Sequence, residues 1–310
     1  MNQRRKPMAA RVFCLPLRRP ETAAFTLIEM SIVLVIIGLV VGGILVGQNL
    51  IAAAGVRATI SQIEKYQTAV NTFRGKYGCL PGDCANAAIF GFSARGAFAG
   101  EGDGNGVIEG VSSNAAAKNL GTQETAGETA TFWVDLSAAN LIEGGLNTAS
   151  ETAVSPALTP SSVPSLDAYL PQAKLGQGNY IYVYSYQNVN YFGLSAVATI
   201  ATWGMGSSLG GGLALRDAYA IDLKTDDGMP LTGAVTATFV GCCDGSYALP
   251  GSSNSVQYGG QGGRGPASYG TFGWSASFFD NNGIAGVQPK YSLAQNGGNG
   301  LNCGLSFRFQ

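Results

Sequence analysis

From Phe25 to Val46 the chain reads FTLIEMSIVLVIIGLVVGGILV, apolar at nearly every position, with one acid, Glu29, close to its leading end. The 18 residues from Met30 to Gly47 carry no charge, and only Ser31 among them is polar. A stretch with no polar face suits lipid, because a bilayer core of ~30 Å needs about 20 residues at about 1.5 Å each. Beyond it the pattern changes to a stripe. Val56, Ile60, Ile63, Tyr66, Val70, Phe73 and Tyr77 recur at spacings of three and four, with Arg57, Gln62, Glu64, Lys65, Asn71 and Arg74 on the other faces. The spacing predicts that one helix continues to about Gly78, its first half in lipid or a filament core and its second half packed on a globular head. Gly38, Gly42, Gly43 and Gly47 are spaced either for close helix approach or simply as membrane-helix glycines.

After Gly78, Pro81 and Gly82 force a turn. Phe132, Trp133, Leu136 and Ala139 share a helical face that Gly144 and Gly145 stop. The segment from Thr148 to Pro171, rich in Ser, Thr and Pro, reads as a loop. Alternating aromatic and aliphatic residues predict strands at Asn179–Gln187, Tyr191–Thr202, Val235–Val240, Phe272–Phe279 and Leu305–Phe309, with a short helix from Leu213 to Asp222. Tyr180, Tyr182, Tyr184 and Tyr186 fall on one strand face, either as a sugar-binding surface or as core packed on the stem helix. The fold class is α+β: a long N-terminal helix, membrane-spanning in its first half, packed on an antiparallel β-sheet head. The chain divides into a leader (1–24), a transmembrane helix (25–47), an amphipathic stem (48–78) and a globular head (79–310).

Charge sharpens this division. The leader holds six of the 18 basic residues and one of the 19 acids, so a chain without it would carry 12 and 18. Basic residues ahead of an apolar helix keep that end on the cytoplasmic side, so the head of a single-pass protein is expected on the far side of the membrane. A secretory signal would have an apolar region of ~7 to 15 residues followed by its cleavage site. Here the small pair Ala23–Ala24 precedes the apolar run instead. No basic patch speaks for nucleic acid. The chain contains no His, which removes Ser-His-Asp triads, Cys-His pairs and His-bearing zinc sites together.

A basic leader, then Phe25-Thr26-Leu27-Ile28-Glu29, then an apolar helix, resembles the type IV prepilin family, which includes type IV pilins and the pseudopilins of type II secretion. The resemblance implies that a prepilin peptidase cuts between Ala24 and Phe25 and that the new Phe25 terminus is methylated. The family usually has Gly before the cut, and this chain has Ala24. The resemblance also implies that Glu29 pairs with the charged N-terminus of a neighbouring pilin or pseudopilin subunit, since a carboxylate in lipid needs a partner. Three further segments are similar to large prepilin-type proteins: KYxxLPGD (Lys76 to Asp83), FWxxLxxAxLIEG (Phe132 to Gly144) and AYxIDxKxDDGxPxxG (Ala218 to Gly233).

Cys14 falls in the leader, leaving Cys79, Cys84, Cys242, Cys243 and Cys303. Outside the inner membrane disulfides are permitted. Cys79 and Cys84 bracket a Pro-Gly turn that can bring their α-carbons within the ~4.4 to 6.8 Å a bridge needs. A second bridge is expected from Cys303 to Cys242 or Cys243, as pilins staple their C-terminal region.

Two acidic segments suggest ion chemistry. Glu101, Asp103, Asn105, Val107 and Glu109 place oxygen ligands at alternate positions, with Gly106 sixth and Ile108 eighth, as in the first nine positions of a calcium loop. Ser112 stands where a bidentate Glu would close it. Asp222, Asp226 and Asp227 with Gly228 form either an ion site or an acidic turn after a helix. The expected function is a structural subunit of a pilus or secretion pseudopilus, non-enzymatic, with calcium as the one candidate cofactor. The alternative is a membrane-anchored extracytoplasmic binding protein or enzyme that uses pilin-type export.

Overall fold

The computed structural model describes residues 26–96, 102–110, 127–150, 158–162, 165–186, 188–201, 204–206, 213–239, 279–280, 290–291, 293, 298–299 and 301–310. The chain forms two compact units, Met1–Asn49 and Leu50–Gln310.

Helix α1 runs from Leu27 to Tyr77, 51 residues. In the first unit its apolar residues from Leu27 to Val46 are exposed, and the helix is long and apolar enough to cross a membrane. In the second unit it buries Val56, Thr59, Gln62, Ile63, Tyr66, Ala69, Val70 and Phe73, one stripe at three-and-four spacing. Gln62 is a correction to the sequence reading, which put it on an outer face. Its side-chain amide donates to the Gln172 carbonyl (2.9 Å) and accepts from the Lys174 N–H (3.0 Å). Thr59 Oγ1 accepts from the Leu175 N–H at 2.9 Å. These two polar side chains dock the helix on segment 172–175 and leave no buried amide unpaired there. Gly78, at φ +76°, ends α1 by donating its N–H to the Arg74 carbonyl at 2.9 Å.

The head is built on antiparallel strands. β1 (Asn179–Tyr186) and β2 (Val189–Ala196) form a hairpin turned at Asn188, which has φ +62°. β3 (Thr199–Ala201) pairs with β4 (Gly204–Gly206), so the predicted run from Tyr191 to Thr202 breaks into two strands. β5 (Leu213–Ala214) leads into helix α3 (Leu215–Thr225), three residues longer than predicted at its end. β6 (Val235–Phe239) follows, then the short pair β7 (Phe279–Asp280) and β8 (Lys290–Tyr291), and finally β9 (Leu301–Arg308). The predicted strand from Phe272 lies outside the described residues except for Phe279. The main sheet runs β1-β2-β9-β5, with β6 also paired to β9. Its register sets Val183 opposite Phe192, Phe192 opposite Phe307, and Phe307 opposite Val235.

Facing pairs in a sheet share a side, and neighbours along a strand alternate. Phe192 meets Tyr66 of α1 (ring centroids 6.4 Å apart), and Phe132 and Trp133 of helix α2 (Glu128–Ala138) at 6.1 Å each. The helices therefore cover the Val183–Phe192 face. Tyr180, Tyr182 and Tyr184 stand on the opposite face, buried. They are core, as one of the two sequence readings had it, but they do not pack on the stem. Tyr184 donates to Ser306 Oγ at 2.6 Å, and Tyr182 shares a 2.8 Å hydrogen bond with Ser195. Gly193, across from Tyr182, leaves the space its ring fills: a Cβ there would lie 2.0 Å from Tyr182 Cε2.

Candidate functional site

At the start of α1 the segment Thr26-Leu27-Ile28-Glu29 forms a capping box. Glu29 Oε2 accepts from both the Thr26 N–H and the Thr26 hydroxyl at 2.8 Å, and Thr26 Oγ1 accepts from the Glu29 N–H at 3.3 Å. Each side chain thus satisfies a donor that the helix start leaves open. The Thr-x-x-Glu spacing was in the sequence, unread beside the stronger prepilin pattern. Both residues are exposed. Ala24 and Phe25 lie outside the described residues.

The second site lies in the head, where four segments meet. Cys79 and Cys84 are joined by a disulfide with α-carbons 5.3 Å apart. This closes a ring around Leu80-Pro81-Gly82-Asp83, in which the Asp83 N–H donates to the Leu80 carbonyl at 3.1 Å. Gly82 has φ +84°, and a Cβ on it would sit 2.6 Å from the Glu128 carbonyl oxygen, so the ring lies directly against the start of α2. The Gly82 N–H donates to Asp135 Oδ2 at 2.7 Å. Arg95 closes this side: its guanidinium pairs with Asp135 Oδ1 and donates to the Ser93 carbonyl at 2.6 Å and the Gly82 carbonyl at 3.4 Å. Its stem runs under Gly102. Both partners of the ion pair are buried, with 1% and 0% of their side chains exposed.

Asp83 holds the Gly-rich loop. Its Oδ1 accepts from the Gly104 N–H and its Oδ2 from the Gly106 N–H, both at 2.8 Å. Glu128, first residue of α2, accepts from the Gly102 N–H (2.6 Å) and the Glu109 N–H (2.8 Å). Asn190 on β2 pins the far half, accepting from the Ile108 N–H at 2.9 Å and donating to the Gly106 carbonyl at 2.8 Å. The loop keeps its shape from backbone N–H groups aimed at these side chains, and its own polar residues make short turns. Asp103 Oδ1 accepts from the Asn105 N–H at 2.9 Å, and Asn105 Oδ1 accepts from the Val107 N–H at 2.7 Å.

Asp83, Asp103 and Glu128 present carboxylate oxygens within 4.8 Å of one another, a grouping that can hold a metal ion. No family model, curated protein or solved structure matches the chain.

Of the loop residues read from sequence as calcium ligands, the structure brings Asp103 into this grouping. Asn105 turns its amide oxygen to Val107, and Glu109 lends its main chain to Glu128 and the start of α2. Glu101 lies outside the described residues, as does Ser112. Asp83 and Glu128 were missed as site residues. Asp83 was visible only as the last letter of the LPGD segment and Glu128 as a residue ahead of Phe132. Burial sets their charge states. It pushes Glu128 up to about 10, reinforced by the charge of Asp83, and pushes Asp83 up to about 6 against the pull of the Gly106 and Gly104 N–H groups. Burial therefore favours the protonated form of Glu128 beside Asp83.

Asp222, Asp226 and Asp227 also come within 4.8 Å, but their oxygens serve the turn after α3. Asp222 accepts from the Gly228 N–H (3.2 Å) and the Tyr291 hydroxyl (2.7 Å), Asp226 from the Ala234 and Val235 N–H groups, and Asp227 from the Met229 N–H and Thr232 hydroxyl. These bonds make the acidic turn, and the three carboxylates together could also hold a metal ion.

Cys303 is buried and has no disulfide partner among the described residues, and Cys242 and Cys243 lie outside them. The register sets Phe239 opposite Cys303, which brings the exit of β6 beside it.

Proposed function

We propose that this chain is a structural subunit of a type IV pilus or a type II secretion-like filament. In this reading a prepilin peptidase cuts between Ala24 and Phe25, the apolar half of α1 anchors the subunit in the inner membrane, and the same half later forms the filament core. The head then lies in the periplasm or on the cell surface, and the partners are other pilin or pseudopilin subunits. One observation carries the reading: α1 leads with a lone acid, exposes apolar side chains from Leu27 to Val46, and continues into a helix that packs on an antiparallel sheet. Apolar surface of that extent is tolerated only in lipid or against other apolar helices. In this reading the subunit is non-enzymatic and the acid pocket orders the head.

Intact-mass analysis of the membrane form tests this proposal. A chain beginning at N-methylated Phe25, recovered with surface filaments, is the expected result. A mature chain beginning after residue 46 would mean ordinary signal-peptide removal and would end it. The calcium expectation passes from the loop alone to Asp83, Asp103 and Glu128, because oxygen-rich, acid-dense positions suit a hard cation and a cation would replace the proton held there.

A further inference from the structure

We propose that the Cys79–Cys84 disulfide is a redox latch on the near half of the acid-pocket loop. The ring is six residues long, and two adjacent members, Gly82 and Asp83, contact the Arg95–Asp135 pair and the loop. Gly82 donates its N–H to Asp135 and accepts from Arg95 at its carbonyl, and Asp83 accepts from the N–H groups of Gly104 and Gly106. These contacts require the two residues to keep one backbone shape, with Gly82 at φ +84° against the Glu128 carbonyl. Glycine has the most conformational freedom of any residue, so an open segment holding Gly82 spreads over many shapes. The disulfide removes that freedom by fixing both ends of the segment.

The two halves of the loop depend on different supports. The Gly104 and Gly106 N–H groups hang on Asp83, inside the ring, while Glu128 holds the Gly102 N–H and Asn190 the Gly106 carbonyl from outside it. Ile108 and Glu109 hang on Asn190 and Glu128, outside it. Opening the ring therefore frees the Gly104 and Gly106 N–H groups and leaves the far half in place. Cys84 is 1% exposed whereas Cys79 is half-buried, so an attacking thiolate reaches the Cys79 sulfur first. The S–S bond breaks, a mixed disulfide forms at Cys79, and Cys84 leaves as a thiol. A second reductant thiol resolves the mixed disulfide, so two reductant thiols become one disulfide while the bridge gains two protons and two electrons. Closing runs the same exchange backwards, with a disulfide-bearing oxidoreductase as oxidant. The latch rests on ring geometry and not on the filament reading. If the head is exported as proposed, its pocket takes final shape only in an oxidising compartment.

Hydrogen exchange of the full chain in detergent micelles, resolved to single residues by gas-phase fragmentation, tests the latch on a Cys79→Ser/Cys84→Ser variant. The Gly104 and Gly106 amides should exchange at least tenfold faster than in the bridged protein, with the Ile108 amide and the β1–β2 amides unchanged. Unchanged Gly104 and Gly106 rates would overturn the proposal. So would equal acceleration of the sheet amides, which would make the bridge a general staple. If the double variant does not fold, mild thiol reduction of the wild-type chain, with mass mapping to confirm an open Cys79–Cys84 bridge, makes the same comparison and is judged by the same outcomes.

Discussion

Replacing Asp135 by Ala strands the Arg95 guanidinium in the head's interior. Asp135 is fully buried and, among the described residues, is the carboxylate paired with Arg95, and it also accepts the Gly82 N–H. Removing one partner of a buried pair leaves an uncompensated charge, which costs about 3 to 5 kcal/mol. Burial itself raises the Asp135 pKa, with Arg95 pulling it back, so the folded head bears a real desolvation cost for this pair. For a head of this size each kcal/mol moves the melting point by ~2 to 4 °C, so Asp135→Ala should lower it by roughly 6 to 20 °C. Urea unfolding of the full chain in detergent, followed by tryptophan fluorescence, measures this well, because Trp133 is buried half a turn away in the same helix. The informative control is Arg95→Met/Asp135→Leu. An apolar pair of similar volume leaves no stranded charge and is often neutral. The double variant should therefore be more stable than Asp135→Ala alone. A loss under ~1 kcal/mol for Asp135→Ala, or a double variant as weak as the two single losses added, would show that the pair is not the clamp it is taken to be.

Glu29→Ala should still insert and fold, because the partner of the Glu29 carboxylate among the described residues is Thr26 of the same helix start, but it should fail to enter filaments; normal filament yield counts against a pairing role. Millimolar calcium should raise the melting temperature of the full chain, and Asp83→Asn and Asp103→Ala should each abolish the rise; no shift in the wild type would leave the pocket a proton-holding one. Non-reducing peptide mapping should find Cys303 bridged to Cys242 or Cys243, a loop of about 60 residues contributing ~4 kcal/mol on the chain-entropy model, and an unmodified, unpaired Cys303 would remove this expectation. Asp222 is pushed up to about 6, chiefly by burial, from an ordinary value near 3.8. The folded head then holds a proton that the unfolded chain releases, so this residue's contribution to stability falls as pH rises from about 4 through 6. Asp222→Asn should flatten that part of the pH profile of melting temperature, and an unchanged slope would refute it.

Periodic segments were legible in the sequence, and joined ones were not. The stripe from Val56 to Phe73, the Phe132–Leu136 face and the β1 alternation each repeat often enough to fix their element. β9 was read four residues short because Asn302 and Gly304 are poor strand formers, and pairing on both sides overrides that weakness. Gln62 was misplaced because a polar side chain on a helix says nothing of a backbone segment more than a hundred residues away that will bond it. The acid pocket failed for the same reason. Asp103 could be found because a calcium-loop pattern is local. Asp83 and Glu128 arrive from a disulfide ring and a helix start, and no spacing in the chain connects them.

β9 pairs with β2, β5 and β6, so the strand at the centre of the sheet comes later in the chain than every strand it joins. While the ribosome is still making residues before Leu301, β2 and β6 have no shared neighbour and the helix-facing side of the sheet cannot close. Contacts such as Tyr191 with Arg308 span more than a hundred residues, and closure at that range is slow. By then α1 has long been synthesised. If the chain is exported as proposed, the head follows α1 as an unfolded chain, the form a translocation channel accepts, and sets only after β9 arrives on the far side.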